Sequence, residues 1–101
     1  MKPSQTDNDS LIQKLEKIVF ANLDNENFGV EELIREAGIS EFKIRQKLKS
    51  VEGKTINQFI LGIRLGKAME LLQQGDLTAS EVAFRIGFSS ASYFNKCFHD
   101  F

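Results

Sequence analysis

Tryptophan is missing from this 101-residue chain, while proline, cysteine, histidine and tyrosine occur once each. Each scarcity closes off a class of function. The lone cysteine, Cys97, excludes an internal disulfide and suits a reducing cytoplasm. The only histidine, His99, lies two residues from Cys97, so on a helix the pair would not face each other. No other Cys or His can complete a metal site, and no cofactor is expected. With no Ser/His/Asp set and no paired carboxylates, catalysis is not expected either. Long apolar runs are also lacking: none approaches the roughly 18 residues of a membrane span, and the polar start does not read as a signal peptide. Gly53-Lys54-Thr55 resembles the end of a phosphate-binding loop, but Leu48 stands where that motif needs its first glycine.

An excess of charge of one sign is absent as well, the formal net charge being −1. The distribution is more informative than the sum. Met1 to Glu32 carries three Lys against seven acids, whereas Lys43 to Lys67 carries seven basic residues against one acid, Glu52. A neutral total therefore conceals a basic segment suited to an anionic partner.

What the chain does contain is helix punctuation. Thr55-x-x-Gln58 is a capping box and Gly75 a stop, enclosing a 55–74 stretch that would span roughly 30 Å as a helix. Its apolar residues change sides partway. Ile56, Phe59, Ile60 and Ile63 share one face, while Leu61, Leu65, Ala68, Met69 and Leu72 share nearly the opposite one. Such a helix is a strut between two bodies. Ahead of it, 1–9 reads as a flexible lead, and Ser10 or Asp9 caps a first helix through Leu23. Val30 to Ala37 makes a second helix and Ser40 caps a third that Gly53 closes. Beyond the strut, Thr78-x-x-Glu81 starts a fifth helix ending at Gly87, and Ser90 caps a sixth running to Phe101. No strand pattern appears. The predicted fold is all-α: a unit over 10–54, a linker helix over 55–74 and a second unit over 75–101.

The two units repeat one another. Glu32 to Ser40 matches Glu81 to Ser89 as acid, two apolar, two variable, apolar, Gly, apolar, Ser; one residue later Ser40, Ile44 and Leu48 pair with Ser90, Phe94 and Phe98. Each copy is a short helix, a turn with glycine and a second helix, the helix-turn-helix layout of homeodomain-like folds. In a DNA reader the second helix enters the major groove. With Ile44 and Leu48 turned inward, Phe42, Arg45 and Gln46 are candidates for base edges: Arg suits guanine, Gln suits adenine, and Phe can touch a thymine methyl. In the second copy, Ala91, Ser92, Asn95 and Lys96 face outward and are the corresponding candidates for base edges. Ser40, Lys43, Lys49, Lys54, Arg64 and Ser90 are candidates for the phosphate backbone. Two reading helices about 30 Å apart would meet successive major grooves of duplex DNA. The rival expectation is a helical protein-interaction module that binds no DNA.

The segment from Leu77 to Phe98, together with Arg64-Leu65, Ala68 and Leu71-Leu72 in the strut, resembles the DNA-binding region of AraC/XylS-type bacterial transcription regulators. The likeness extends over roughly Leu11 to Phe101. It implies tandem helix-turn-helix units on promoter DNA, RNA polymerase as a partner of the whole regulator, and a sensory or receiver part outside this chain. The stretch NLDNENFGVEEL is most similar to variants fused to two-component regulators. Three departures are visible. Gln46 stands where the family more often has Arg; Gly66 replaces a charged residue and shares the strut with Gly62, for close packing or for a bend. The family's closing Phe-Gly turn and Pro-led helix are missing after Phe101, so the second unit is expected to be truncated.

Overall fold

The computed structural model describes residues 3–88 and 90–100, with side chains at 10–88, 90, 92–97, 99 and 100. Six helices make up the regular structure of these residues: α1 (Pro3–Ala21), α2 (Val30–Ala37), α3 (Glu41–Glu52), α4 (Ile56–Gln74), α5 (Ala79–Arg85) and α6 (Ala91–Asp100). Local capping accounts for most boundaries. The Ser40 hydroxyl accepts from the Lys43 amide at 3.3 Å, and Ser90 accepts from Tyr93 at 3.1 Å. Thr55 with Gln58 and Thr78 with Glu81 form reciprocal capping boxes. The two hydrogen bonds from Thr78 hold the Glu81 carboxyl below its ordinary pKa.

The ends of α1 and α5 fall two residues short of expectation, at Ala21 and Arg85, and the start of α1 differs more. Helix α1 begins at Pro3, so 3–9 continues the first helix instead of forming a flexible lead. Proline fits there because its fixed φ suits a helix and the first turn leaves its own amides unbonded. Phe101, where the sixth helix was expected to end, lies outside the described residues, as does the side chain of Phe98.

Helix α4 packs against α1, α2 and α3 near its start and against α5 near its end. Two separate cores result. Ile56, Phe59 and Ile60 join Ile12, Leu15, Val19, Phe28, Leu33, Ala37, Ile44 and Leu48, with Ile63 packed alongside. Leu65 and Ala68 join Val82, Ala83, Ile86, Phe88, Phe94 and Cys97, with Leu61 and Leu72 alongside. The buried face therefore changes sides as the periodicity predicts. Met69 is the exception, remaining 50% exposed. The helix continues unbroken through Gly62 and Gly66, and a methyl group at Gly66 would meet nothing within 4 Å. Close packing does not explain that glycine.

Candidate nucleic-acid interface

The first reading helix, α3, turns Ile44 and Leu48 into the core and leaves the expected base-reading side chains outside. Phe42 is 72% exposed, and Arg45 and Gln46 are exposed beside it. Phe42, Arg45, Gln46 and Lys49 line one open groove of about 790 Å³ together with Lys54. Lys43 faces the adjoining side with Gln46, Lys47, Ile39 and Leu11. Arg45 pairs with Glu41 one turn earlier, but both side chains are at least half exposed. Such a pair is worth about 0.3–0.5 kcal/mol, less than the roughly 1–3 kcal/mol of a good base contact, so it does not withhold Arg45 from DNA.

Val30, Ser50, Thr55, Ile56 and Asn57 complete the groove wall, and the sequence assigned them no such place. The stop at Gly53 folds the start of α4 back beside α3, which helix periodicity cannot reveal. The only signal was the shortness of the 53–55 connection.

On α6 the side chains of Ser92, Asn95 and Lys96 are exposed, as is Ser90 at its start; the side chain of Ala91 lies outside the described residues. Tyr93, also unforeseen, is 53% exposed and packs its ring 5.7 Å from Phe88. A hydrogen bond with Cys97 raises the Tyr93 pKa above the ordinary phenol value. Ser40 and Ser90 each accept a backbone amide, leaving the hydroxyl proton free to donate to a phosphate oxygen. Among the described residues, no carboxylate lies within ion-pair distance of Lys43, Lys49 or Lys96. Lys54 lies 3.7 Å from Glu52, a long, partly exposed and weak pairing.

Arg64 departs from expectation altogether. It is 9% exposed and cannot serve as a phosphate contact. Its Nη2 donates to the carbonyls of Asn25 and Phe28 at 3.0 Å each, and its Nη1 lies 3.5 Å from the carbonyl of Gly87. Burial lowers its pKa from the ordinary arginine value, though arginine stays charged in proteins. The reason is positional. Arg64 lies four residues from Ile60 and four from Ala68, on a stripe buried at both ends.

Residues 33–101 match the family described as "Helix-turn-helix domain". The chain is 38% identical over 90 residues to Histidine kinase P4 of Formosa agariphila, covering 89% of this chain and 7% of that protein. It is 33% identical over 97 residues to the HTH-type transcriptional activator RhaR of Enterobacter sp., covering 96% of this chain and 34% of that one. The C-terminal domain of the two-component response regulator yesN from Fusobacterium nucleatum superimposes with a TM-score of 0.75 at 25% identity, over 91% of this chain and 92% of that one. This chain thus spans 7% and 34% of the length of the two curated relatives. The duplicated helix-turn-helix geometry and a family match over more than half the sequence place the chain in the AraC-type helix-turn-helix family.

Proposed function

We propose that this chain is the DNA-binding part of a longer bacterial transcription regulator and sets α3 and α6 in successive major grooves of promoter DNA. The observation that carries the reading is the first groove, where Phe42, Arg45 and Gln46 stand exposed beside Lys49 and Lys54. The long dimension of the molecule, 43 Å, accommodates two helices about 34 Å apart, one turn of DNA. Ser40, Lys43, Lys49, Lys54 and Ser90 are assigned to phosphates, and Ala91, Ser92, Asn95 and Lys96 to the second groove. Arg64 is removed from the phosphate set. In the whole protein, RNA polymerase and a sensory or receiver domain are the further partners, and the cytoplasm is the setting. No described helix is long and apolar enough to cross a membrane.

Salt dependence tests the reading. If about four of the cations reach phosphates, the slope of log K against log[salt] is about −3.6. Affinity for a generic duplex then falls about a hundredfold between roughly 50 and 200 mM salt. A helical interaction module with an apolar groove would bind its protein partner with little response to salt, and a flat titration on DNA would favour that rival.

Within this reading the two units divide the work. Arg45 and Gln46 can each make paired hydrogen bonds to one purine, whereas Ser92 and Asn95 are short and Lys96 is a flexible point charge. Arg45→Ala is expected to cost about 1–3 kcal/mol on the preferred sequence and little on random duplex. Lys96→Ala should weaken both alike and reduce the salt slope by about one. Competition binding of each variant on specific and random duplex at several salt concentrations checks this. A change of base preference in Lys96→Ala, with uniform weakening in Arg45→Ala, would reverse the assignment.

A further inference from the structure

Arg64 holds three carbonyls that belong to different parts of the fold. Asn25 and Phe28 lie in the connection between α1 and α2 of the first unit, and Gly87 lies in the turn of the second. The connection is itself ordered: Asn25 donates to the Asn22 carbonyl at 3.0 Å and Phe28 to the Asn25 carbonyl at 3.1 Å. Its carbonyls therefore present a fixed target for the planar fork of a guanidinium. The longer reach to Gly87 is a weaker bond, but steric contact reinforces it. A Cβ at Gly87 would lie 2.4 Å from the Leu23 carbonyl oxygen and 3.2 Å from Arg64 Cζ, and its φ is +86°. Backbone of one unit thus rests on backbone of the other, with no room for a side chain between. Nε of Arg64 is buried without a hydrogen-bond partner, so the fork is held by its two outer nitrogens.

We propose that Arg64 is a positioning residue that fixes the interval between α3 and α6, and through it the spacing of the two half-sites this chain accepts on DNA. The proposal rests on the DNA-binding reading above. Sliding or tilting one unit against the other breaks buried hydrogen bonds of a charged group and drives the Gly87 turn into the 23–28 connection. One inserted base pair moves a half-site about 3.4 Å along the duplex and about 35° around it. A rigid joint cannot follow that displacement; a loosened one can.

The test uses a duplex selected from a random pool by the wild-type chain, in which footprinting locates two protected patches. Affinity is measured on that duplex, on versions with one base pair inserted or removed between the patches, and on a version keeping only the patch read by α3. The wild type is expected to lose about tenfold or more on altered spacing, the effect of roughly 1.4 kcal/mol. Arg64→Met, similar in length and lacking donors, should lose only about two- to threefold on altered spacing while half-site affinity stays within about twofold. Arg64→Lys keeps the charge but cannot span three carbonyls, and should shift the profile in the same direction. An unchanged spacing profile in both variants, or equal loss on all duplexes, overturns the proposal.

A DNA-free arm separates this proposal from the binding reading. Spin labels at Val51→Cys and Asp100→Cys, in a Cys97→Ala background, report the distance between the ends of α3 and α6. A distance distribution that broadens in Arg64→Met supports the positioning role, and an unchanged width overturns it. Failure of the wild type to bind any duplex would reject the DNA reading, with the label distances still deciding the role of Arg64.

Discussion

Proline at Met69 is expected to cost about 3 kcal/mol or more and to disconnect the second unit from the first. The ring removes one backbone donor and collides with the carbonyl four residues earlier, that of Leu65. Leu65 and Ala68 belong to the second core, so the break falls inside the segment that anchors α5 and α6 to α4. Because the Met69 side chain is half exposed, the backbone effect can be isolated. Met69→Ala should stay within about 0.5 kcal/mol of the wild type and serves as the control. Binding to a composite site with both half-sites should fall much further in Met69→Pro than binding to the first half-site alone. Equal losses on both, in a variant whose circular dichroism remains helical, would refute the strut.

The second large effect is expected from Phe94→Ala. Phe94 is 1% exposed and meets Phe88 edge-on at a centroid distance of 5.3 Å. Removing a buried phenyl ring costs about 3–5 kcal/mol, a large share of the roughly 5–15 kcal/mol that holds a typical domain folded. The second core has few large side chains to close the void; Ala68, Val82, Ala83 and Cys97 are half of its buried set. The first core contains neither Phe94 nor its neighbours and should stay intact. Urea denaturation followed by hydrogen exchange should show α5 and α6 opening first, with α1 to α3 protected to higher denaturant. A single transition in which both units lose protection together would show that the two cores act as one cooperative unit.

How much of this could be read in advance depends on the range of the interactions involved. Helix identities were legible because caps and stops act within four residues. Thr55 with Gln58, Thr78 with Glu81 and Ser40 with the Lys43 amide are all three apart in sequence, and the structure contains each of them. The turn glycines Gly38 and Gly87, with φ of 66° and 86°, fall where the repeat places them, because a left-handed turn residue favours glycine. Outward placement of Arg45 and Gln46 followed from the inward placement of Ile44 and Leu48 by helical rotation alone. The two-faced character of α4 was legible for the same reason.

What the sequence by itself determined is therefore the six helices, their order, their buried stripes and the duplicated turn that marks the family. Only the tertiary structure decided which side chains meet across the chain. The groove that gathers Phe42, Arg45 and Lys49 with Thr55 and Asn57 exists because the chain reverses at Gly53. Met69 lies on the predicted apolar side yet stays half exposed. Arg64 reaches partners 39, 36 and 23 residues away, distances over which no local periodicity operates. A charged residue at that position reads as a surface cation until the fold buries it, because burial of a charge is tolerated only where hydrogen-bonding groups converge on it. The convergence of the Asn25, Phe28 and Gly87 carbonyls is set by the packing of two units on one helix, and no stretch of the sequence contains it.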